Sequence, residues 1–138
     1  MKTIAVLIAM FLGALMNAQT EKSGNITASV SNISNADGEV LFAMYTEDTF
    51  MKRQPEFVAK SDIVNGKATA VFENVPEGVY AIVVLHDKNK NGKMDFGPGG
   101  MPQENYGTSN NSMIYGPPNW GDSKFDFDGS SMEMDIRF

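Results

Sequence analysis

The sequence predicts an all-β protein, an antiparallel β-sandwich of immunoglobulin-like or transthyretin-like kind with six or seven strands. Three observations support this fold class. Short segments alternate apolar and polar residues with a period of two. Clusters of Gly, Asn and Pro separate these segments. Beyond the N-terminal apolar run, no segment has the 3.6-residue period of an amphipathic helix. A length of 138 residues suits one such domain.

The N-terminal residues have the layout of a secretory signal peptide. Lys2 precedes an apolar run over residues 4–16, and the small residue Ala18 follows it. This run is shorter than the roughly 20 residues that span a bilayer as a helix. We therefore predict a signal peptide at 1–18, a short tail at 19–23 and one β-sandwich domain at 24–138. The product is expected in the periplasm or secreted, with no membrane span after cleavage.

The first half of the domain predicts two strands and a long connection. Residues 24–30 alternate as a half-buried strand does, and an Asn-Ala-Asp-Gly turn follows at 35–38. Residues 40–45 are apolar at every position, which predicts a central strand with two covered faces. Residues 46–62 are mostly polar and are expected to form a long connection, with at most a short helical turn.

Two turn signals frame the middle of the domain. Asn65-Gly66 lies between short apolar segments, which predicts a tight β-hairpin joining residues 63–64 to 68–72. A Pro-Glu-Gly turn at 76–78 precedes residues 79–85, which are almost all apolar and largely β-branched. That run predicts a strand buried on both faces at the centre of the domain.

The C-terminal part predicts one long irregular region and two strands. Residues 87–123 are rich in Gly, Pro and Asn and have no sustained period. Loops of this length are usually functional or ordered by a ligand. Residues 125–127 and 132–138 then alternate apolar and mostly charged side chains, as strands with one solvent-facing side do.

Composition excludes several classes of function. The chain has 11 basic and 17 acidic residues, a net charge of −6, so the basic surface that nucleic acid requires is not expected. It has no cysteine, which excludes disulfides, thiol nucleophiles and cysteine zinc sites. His86 is the only histidine, so one chain cannot build a multi-histidine metal centre.

The loop after the central strand has the ligand spacing of a calcium site. Asp87, Asn89 and Asn91 alternate along the chain, and Gly92 allows the sharp turn that brings the Lys93 carbonyl inward. Asp95 occupies the ninth position, where it would bind directly or through water. Pro98 replaces the glutamate of the EF-hand, and Glu104 is the nearest carboxylate downstream that could replace it. The alternative is a polar turn without an ion. The predicted ligands are Asp87, Asn89, Asn91, Lys93, Asp95 and Glu104, and the predicted cofactor is calcium.

Two other interpretations remain at this stage. His86 next to Asp87 would suit a hydrolase with a histidine general base, although the same pair also suits a structural histidine at a strand end. Three aromatic residues of the irregular region, Tyr106, Tyr115 and Trp120, would suit a carbohydrate or cell-surface binding module. We expect a non-enzymatic protein, with a glycan or a cell-envelope protein as the alternative kinds of partner.

Several segments together resemble a known family. They are VPEGVYAI at 75–82, HDKNKNGKMD at 86–95, GMPQENYG at 100–107, Ser109-Asn110, Gly116-Pro117-Pro118 and Phe125. The sequence resembles the secreted bacterial domain of unknown function numbered 2141, with Thr108 as a departure from the aromatic residue expected there. The resemblance implies a signal peptide, an exported β-sandwich without established activity, and a shared ligand at the loop that starts at Asp87. The turn before residue 79 is similar to that of carboxypeptidase-regulatory and transthyretin-like sandwiches.

Overall fold

The computed structural model describes residues 20–112 and 116–138. The predicted signal peptide therefore lies outside the described residues. Within these ranges the fold has eight strands, two 3₁₀ turns, Pro98–Gly100 and Ser109–Asn111, and one helical turn, α1 (Trp120–Ser123). The strands are β1 (Ser23–Val30), β2 (Glu39–Tyr45), β3 (Phe57–Ser61), β4 (Ala68–Pro76), β5 (Gly78–Asp87), β6 (Tyr106–Thr108), β7 (Phe125–Phe127) and β8 (Met132–Asp135).

Two sheets pack face to face, which confirms the predicted β-sandwich. The smaller sheet has the order β4-β1-β8, and the larger has the order β3-β2-β5-β6. Strand β7 pairs with the first residues of β5, and β6 pairs with residues nearer its end, so two short strands cover one edge of β5. No helix within the described ranges has the length and apolar character that crossing a membrane requires.

The core lies between the sheets, where the alternation of apolar residues predicts it. Ile26, Ala28 and Val30 of β1 are fully buried, as are Phe42 and Met44 of β2. Burying a side chain the size of Val, Ile, Phe or Met contributes about 1.5–3 kcal/mol. The largest favourable term in the folding free energy is therefore provided by these inward-facing residues.

The central position of β2 and β5 is also confirmed. β2 lies between β3 and β5, and β5 has hydrogen-bonded partners on both sides. The sequence predicts residues 79–85 as the central strand, and the observed strand β5 is longer, Gly78–Asp87. Asp87 therefore belongs to the last rung of the central strand, opposite Glu39 of β2.

Five details differ from the sequence prediction. Residues 46–62 contain the edge strand β3, and residues 87–123 contain β6 and α1. The pair β1 and β8 is parallel, although an antiparallel sandwich was predicted. The turn at Asn65-Gly66 forms, but the strands on its two sides belong to different sheets and do not pair as a hairpin. β8 ends at Asp135, three residues before the predicted end.

Candidate functional site: the β5–β6 loop

The candidate site is the loop that joins β5 to β6, residues 88–105. Its base is fixed by the larger sheet, because the His86 N–H donates to the carbonyl of Asn105 at 2.9 Å. Leu85 and Tyr106 form the neighbouring rung. The loop therefore projects from the closed end of two paired strands, which hold its start and finish close together.

Asp87 organises the first turn of the loop. Its side chain is fully buried. One carboxylate oxygen, Oδ1, accepts the N–H of Asn91 at 3.2 Å, and Oδ2 accepts the N–H of Gly92 at 2.8 Å. Gly92 has a φ of 81°, a backbone conformation that favours glycine. Backbone donors stabilise a buried carboxylate, so Asp87 folds residues 88–92 around its own charge.

Asp95 joins the two asparagines across the loop. Asn89 Nδ2 donates to Asp95 Oδ2 at 2.7 Å, while Asn91 Nδ2 lies 2.8 and 3.0 Å from the two Asp95 oxygens. The amide oxygens of the same two side chains accept backbone N–H groups, with Asn91 as the donor to Asn89 and Lys93 as the donor to Asn91. The alternating residues of the predicted calcium pattern thus form one hydrogen-bonded cluster.

Glu104 binds the backbone at both ends of the segment 88–95, the first part of the loop. Its side chain is buried. Oε1 accepts the N–H of Lys88 at 2.9 Å, and Oε2 accepts the N–H of Asp95 at 3.1 Å. Sequence reasoning singled out Glu104 only as a candidate ion ligand. The structure gives it a bracing function, since one carboxylate holds two backbone segments that are separated by seven residues of chain.

The donor set of this loop suits a hard cation better than a transition metal. In the described ranges, no three side chains among His, Asp and Glu are grouped as a metal-binding cluster. Calcium sites, however, also use amide oxygens and backbone carbonyls. Asp87, Asn89, Asn91 and Asp95 supply two carboxylates and two amides within one hydrogen-bonded cluster. These oxygen donors fit calcium chemistry, and nitrogen or sulfur ligands for softer metals are not among them.

His86 is a buried structural residue in the larger sheet. Its side chain has no exposed surface, and Nε2 lies 2.7 Å from the backbone carbonyl oxygen of Asp37. The imidazole stacks on the ring of Phe138, with centroids 6.0 Å apart and an interplanar angle of 13°. Both oxygens of Asp87 face backbone donors of the loop, and Nδ1 of His86 has no hydrogen-bond partner among the described residues. A general base needs a reachable nitrogen oriented by a carboxylate, and this geometry supplies neither.

The aromatic residues named from the sequence have structural contacts. The Tyr106 hydroxyl donates to the carbonyl of Gly116 at 2.8 Å. Trp120 packs edge to face on Phe50, with ring centroids 5.7 Å apart, and Phe50 packs in turn on Tyr45. Tyr115 lies outside the described residues. The contacts of Tyr106 and Trp120 hold the irregular region against the sandwich, and the glycan hypothesis stays a prediction.

Sequence reasoning predicted the turn at 35–38 but missed that it supports the start of the loop. Gly38, in the turn between β1 and β2, has a φ of 75°, and a Cβ there would overlap the carbonyl of Asp87. The neighbouring Asp37 carbonyl contacts His86. The Asp-Gly pair is a turn signal, but its contact with the end of β5 is a long-range feature that no local pattern encodes.

Comparison with known proteins identifies a family. The family model described as "Uncharacterized protein conserved in bacteria (DUF2141)" matches residues 28–135. No curated protein and no solved structure matches the chain. The matched segment begins within β1 and ends with β8, so it includes the β5–β6 loop. Because this match covers most of the chain, the protein belongs to the bacterial family DUF2141.

Proposed function

We propose that this protein is an exported, non-enzymatic β-sandwich module whose β5–β6 loop binds one calcium ion. The observation that carries the proposal is the cluster around Asp95, where Asn89 and Asn91 both direct side-chain amides at one carboxylate. Asp87 is held beside this cluster by the Asn91 backbone. Four oxygen-bearing side chains are therefore positioned together before any ion arrives.

Ion binding requires the two asparagine amides of this cluster to turn over. The oxygen and nitrogen of an asparagine amide exchange places when the side chain turns about its last bond. Such a turn replaces the two N–H contacts to Asp95 with oxygens that face the same carboxylate, and a cation between them would offset the repulsion. The Lys93 carbonyl, predicted from the spacing, would supply a backbone ligand. Glu104 keeps the two ends of the segment 88–95 in place through its backbone contacts.

The affinity should be modest because the local charges oppose one another. Asp87 and Asp95 supply two negative charges, whereas Lys88, Lys90 and Lys93 lie within the same nine residues. The hydrogen bonds of the ion-free loop must also be given up. We expect a Kd of about 10⁻⁴–10⁻³ M, the range of extracellular calcium modules. At about 1 mM calcium the ion would stabilise the fold by about 0.4–1.4 kcal/mol.

Calorimetry and thermal unfolding test the proposal. Wild-type protein should release or absorb heat on titration with calcium, and at about 10 mM calcium the gain of about 1.4–2.7 kcal/mol should raise Tm by roughly 5–15 °C relative to chelator. Asp95→Asn should abolish both effects. The control is Asp126→Asn, which changes an exposed carboxylate on β7 and should leave both intact. An unchanged Tm and no heat in the wild-type protein would exclude the calcium site.

The export part of the proposal depends on residues 1–18, which lie outside the described residues. Support comes from the charged start, the apolar run and Ala18. Mass spectrometry of the protein from its native host should find a mature chain that begins at Gln19. Recovery of the uncleaved chain from the cytoplasmic fraction would contradict export.

A further inference from the structure

The far end of the β5–β6 loop is a narrow apolar hairpin, residues 96–102, which we call the apolar tip. Phe96 pairs with Pro102 as an isolated bridge at its base. Phe96 and Met101 are 63% and 68% exposed, among the most exposed large apolar side chains of the described residues. Scattered apolar residues are common on surfaces, but these two lie on one short hairpin.

Part of the backbone of the apolar tip is satisfied from within. The Gly97 N–H donates to the carbonyl of Met101 at 2.8 Å, and the Gly100 N–H donates to the carbonyl of Gly97 at 3.1 Å. Pro98 and Pro102 have no N–H to satisfy. Moving an unpaired backbone donor out of water is costly, and this hairpin has closed or removed several of its donors. This conformation therefore lowers the cost of moving the hairpin out of water.

Three lysines precede the apolar tip in the loop. Lys88, Lys90 and Lys93 fall within six residues, three of the 11 basic residues of an otherwise acidic chain. None of them forms an ion pair with a residue of the described ranges. The nearby carboxylates of Asp95 and Glu104 are already engaged by amide and backbone donors. The loop thus presents free ammonium groups beside exposed apolar side chains.

We propose that the apolar tip inserts into the surface of a membrane that contains anionic lipids, with the three lysines contacting lipid headgroups. Phe96 and Met101 would enter the boundary between headgroups and acyl chains, as apolar side chains of interfacial segments do. Lysines near an anionic surface add an electrostatic attraction. Stable protein interfaces bury about 800 Å² on each partner, which a hairpin with two large apolar side chains does not offer. A lipid surface requires only the apolar side chains and the charges.

This inference goes beyond the proposed calcium site and does not depend on it. The exposed side chains and the lysines are properties of the ion-free structure. The test is therefore made in chelator, so that a failure of calcium binding and a failure of lipid binding are read separately.

Vesicle sedimentation with the full mature chain tests the proposal. Wild-type protein should bind vesicles of phosphatidylcholine mixed with phosphatidylglycerol, bind vesicles of phosphatidylcholine alone much more weakly, and dissociate as salt is raised. Replacing Phe96 and Met101 together with Ser should lower the partition coefficient roughly a hundredfold, since burial of each side chain is worth about tenfold or more. The matched control replaces the exposed apolar residues Met51 and Val58 with Ser and should bind as the wild type does.

A second variant tests the contribution of the lysines separately from that of the apolar tip. Replacing Lys88, Lys90 and Lys93 with Gln should reduce binding to anionic vesicles by about fivefold per lysine and remove its dependence on salt. Circular dichroism checks that each variant is folded. Failure of the wild type to bind anionic vesicles would overturn the proposal. So would equal binding by the Phe96/Met101 variant, or a wild-type dimer that this variant converts to a monomer without any lipid binding.

Discussion

Replacing Glu104 with Ala removes the brace between Lys88 and Asp95 of the β5–β6 loop. The side chain is buried and accepts the N–H of Lys88 at 2.9 Å and of Asp95 at 3.1 Å. Hydrogen bonds to a charged group each contribute about 1.5–3 kcal/mol. Because water can reach part of the loop once it loosens, we expect a net loss of about 2–4 kcal/mol in the free energy of unfolding.

Urea unfolding measures this loss. With m in the usual range for a domain of this size, about 1–3 kcal/mol/M, the midpoint should fall by about 1–3 M. Glu104→Gln keeps one oxygen acceptor but turns an NH₂ group toward the other backbone N–H, so its midpoint should lie between those of Glu104→Ala and the wild type. The matched control is Glu133→Ala on β8, an exposed glutamate whose loss should cost no more than about 0.5 kcal/mol.

Hydrogen exchange gives a local readout of the same change. The amides of Lys88 and Asp95 should exchange faster in Glu104→Ala, while amides at the centre of β5 such as Val84 should still require global unfolding. Calcium affinity should weaken as well, because the loop would no longer be held in its binding conformation. A Glu104→Ala protein with wild-type stability and unchanged exchange at Lys88 and Asp95 would refute the bracing function.

Three further predictions concern the sandwich that supports the loop. Gly38→Ala combines a left-handed φ with overlap against a backbone carbonyl and should lower the free energy of unfolding by roughly 3 kcal/mol or more. Gly99→Ala has a similar φ in open space and should lower it by about 1–2 kcal/mol. Urea unfolding of both variants separates the overlap from the backbone strain. Burial raises the pKa of Tyr45 above its usual 10.0, so the unfolded chain loses this proton first, and the free energy of unfolding should fall as pH rises above 10.0. Tyr45→Phe should reduce this loss of stability in alkaline unfolding curves, and an unchanged curve would contradict the argument. The fully buried Ser109 hydroxyl accepts a backbone N–H of β5 at 3.0 Å and donates to a backbone carbonyl. Ser109→Ala should therefore lower the free energy of unfolding by about 1–3 kcal/mol, against about 0.5 kcal/mol or less for the exposed Ser131→Ala. Equal urea midpoints for the two variants would contradict this.

The parts of the fold that were predictable are those in which the local pattern and the burial agree. Residues 79–85 are continuously apolar, and they form most of the central strand β5; one face of this strand is buried, whereas the other is only partly covered and leaves Val79 exposed. The two short segments near the C-terminus also alternate clearly, and they form strands β7 and β8. In both cases, the hydrophobic period is set by the same contacts that the structure forms.

Pairing between strands that are distant in sequence was harder to predict from the sequence. The Asn65-Gly66 turn forms with φ values of 52° and 73°, as its residue types predict, yet its two flanks join different sheets. Turn chemistry determines only the local direction of the chain, whereas sheet membership depends on long-range packing. The parallel pair of β1 and β8 depends on such packing too. Strand β3 was missed because its apolar residues, 57–59, form a run too short to show a period and follow a long polar stretch.

At the candidate site, spacing identified the residues that cluster but not all of their contacts. Asp87, Asn89, Asn91 and Asp95 were selected because alternating polar side chains in a tight loop face a common side. The structure places them in one hydrogen-bonded network. The contacts of Glu104 with the loop backbone depend on how residues 96–103 return to the sheet, and no short-range pattern encodes that path.

A high-resolution crystal structure grown with calcium tests the central claim most directly. The calcium proposal predicts an ion with six to eight oxygen ligands at about 2.3–2.6 Å. Asp87 and Asp95 carboxylates, the amide oxygens of Asn89 and Asn91 and the Lys93 carbonyl should be among these ligands. A loop without an ion, in which both asparagine amides still donate to Asp95, would contradict the claim and leave residues 87–95 as a hydrogen-bonded turn.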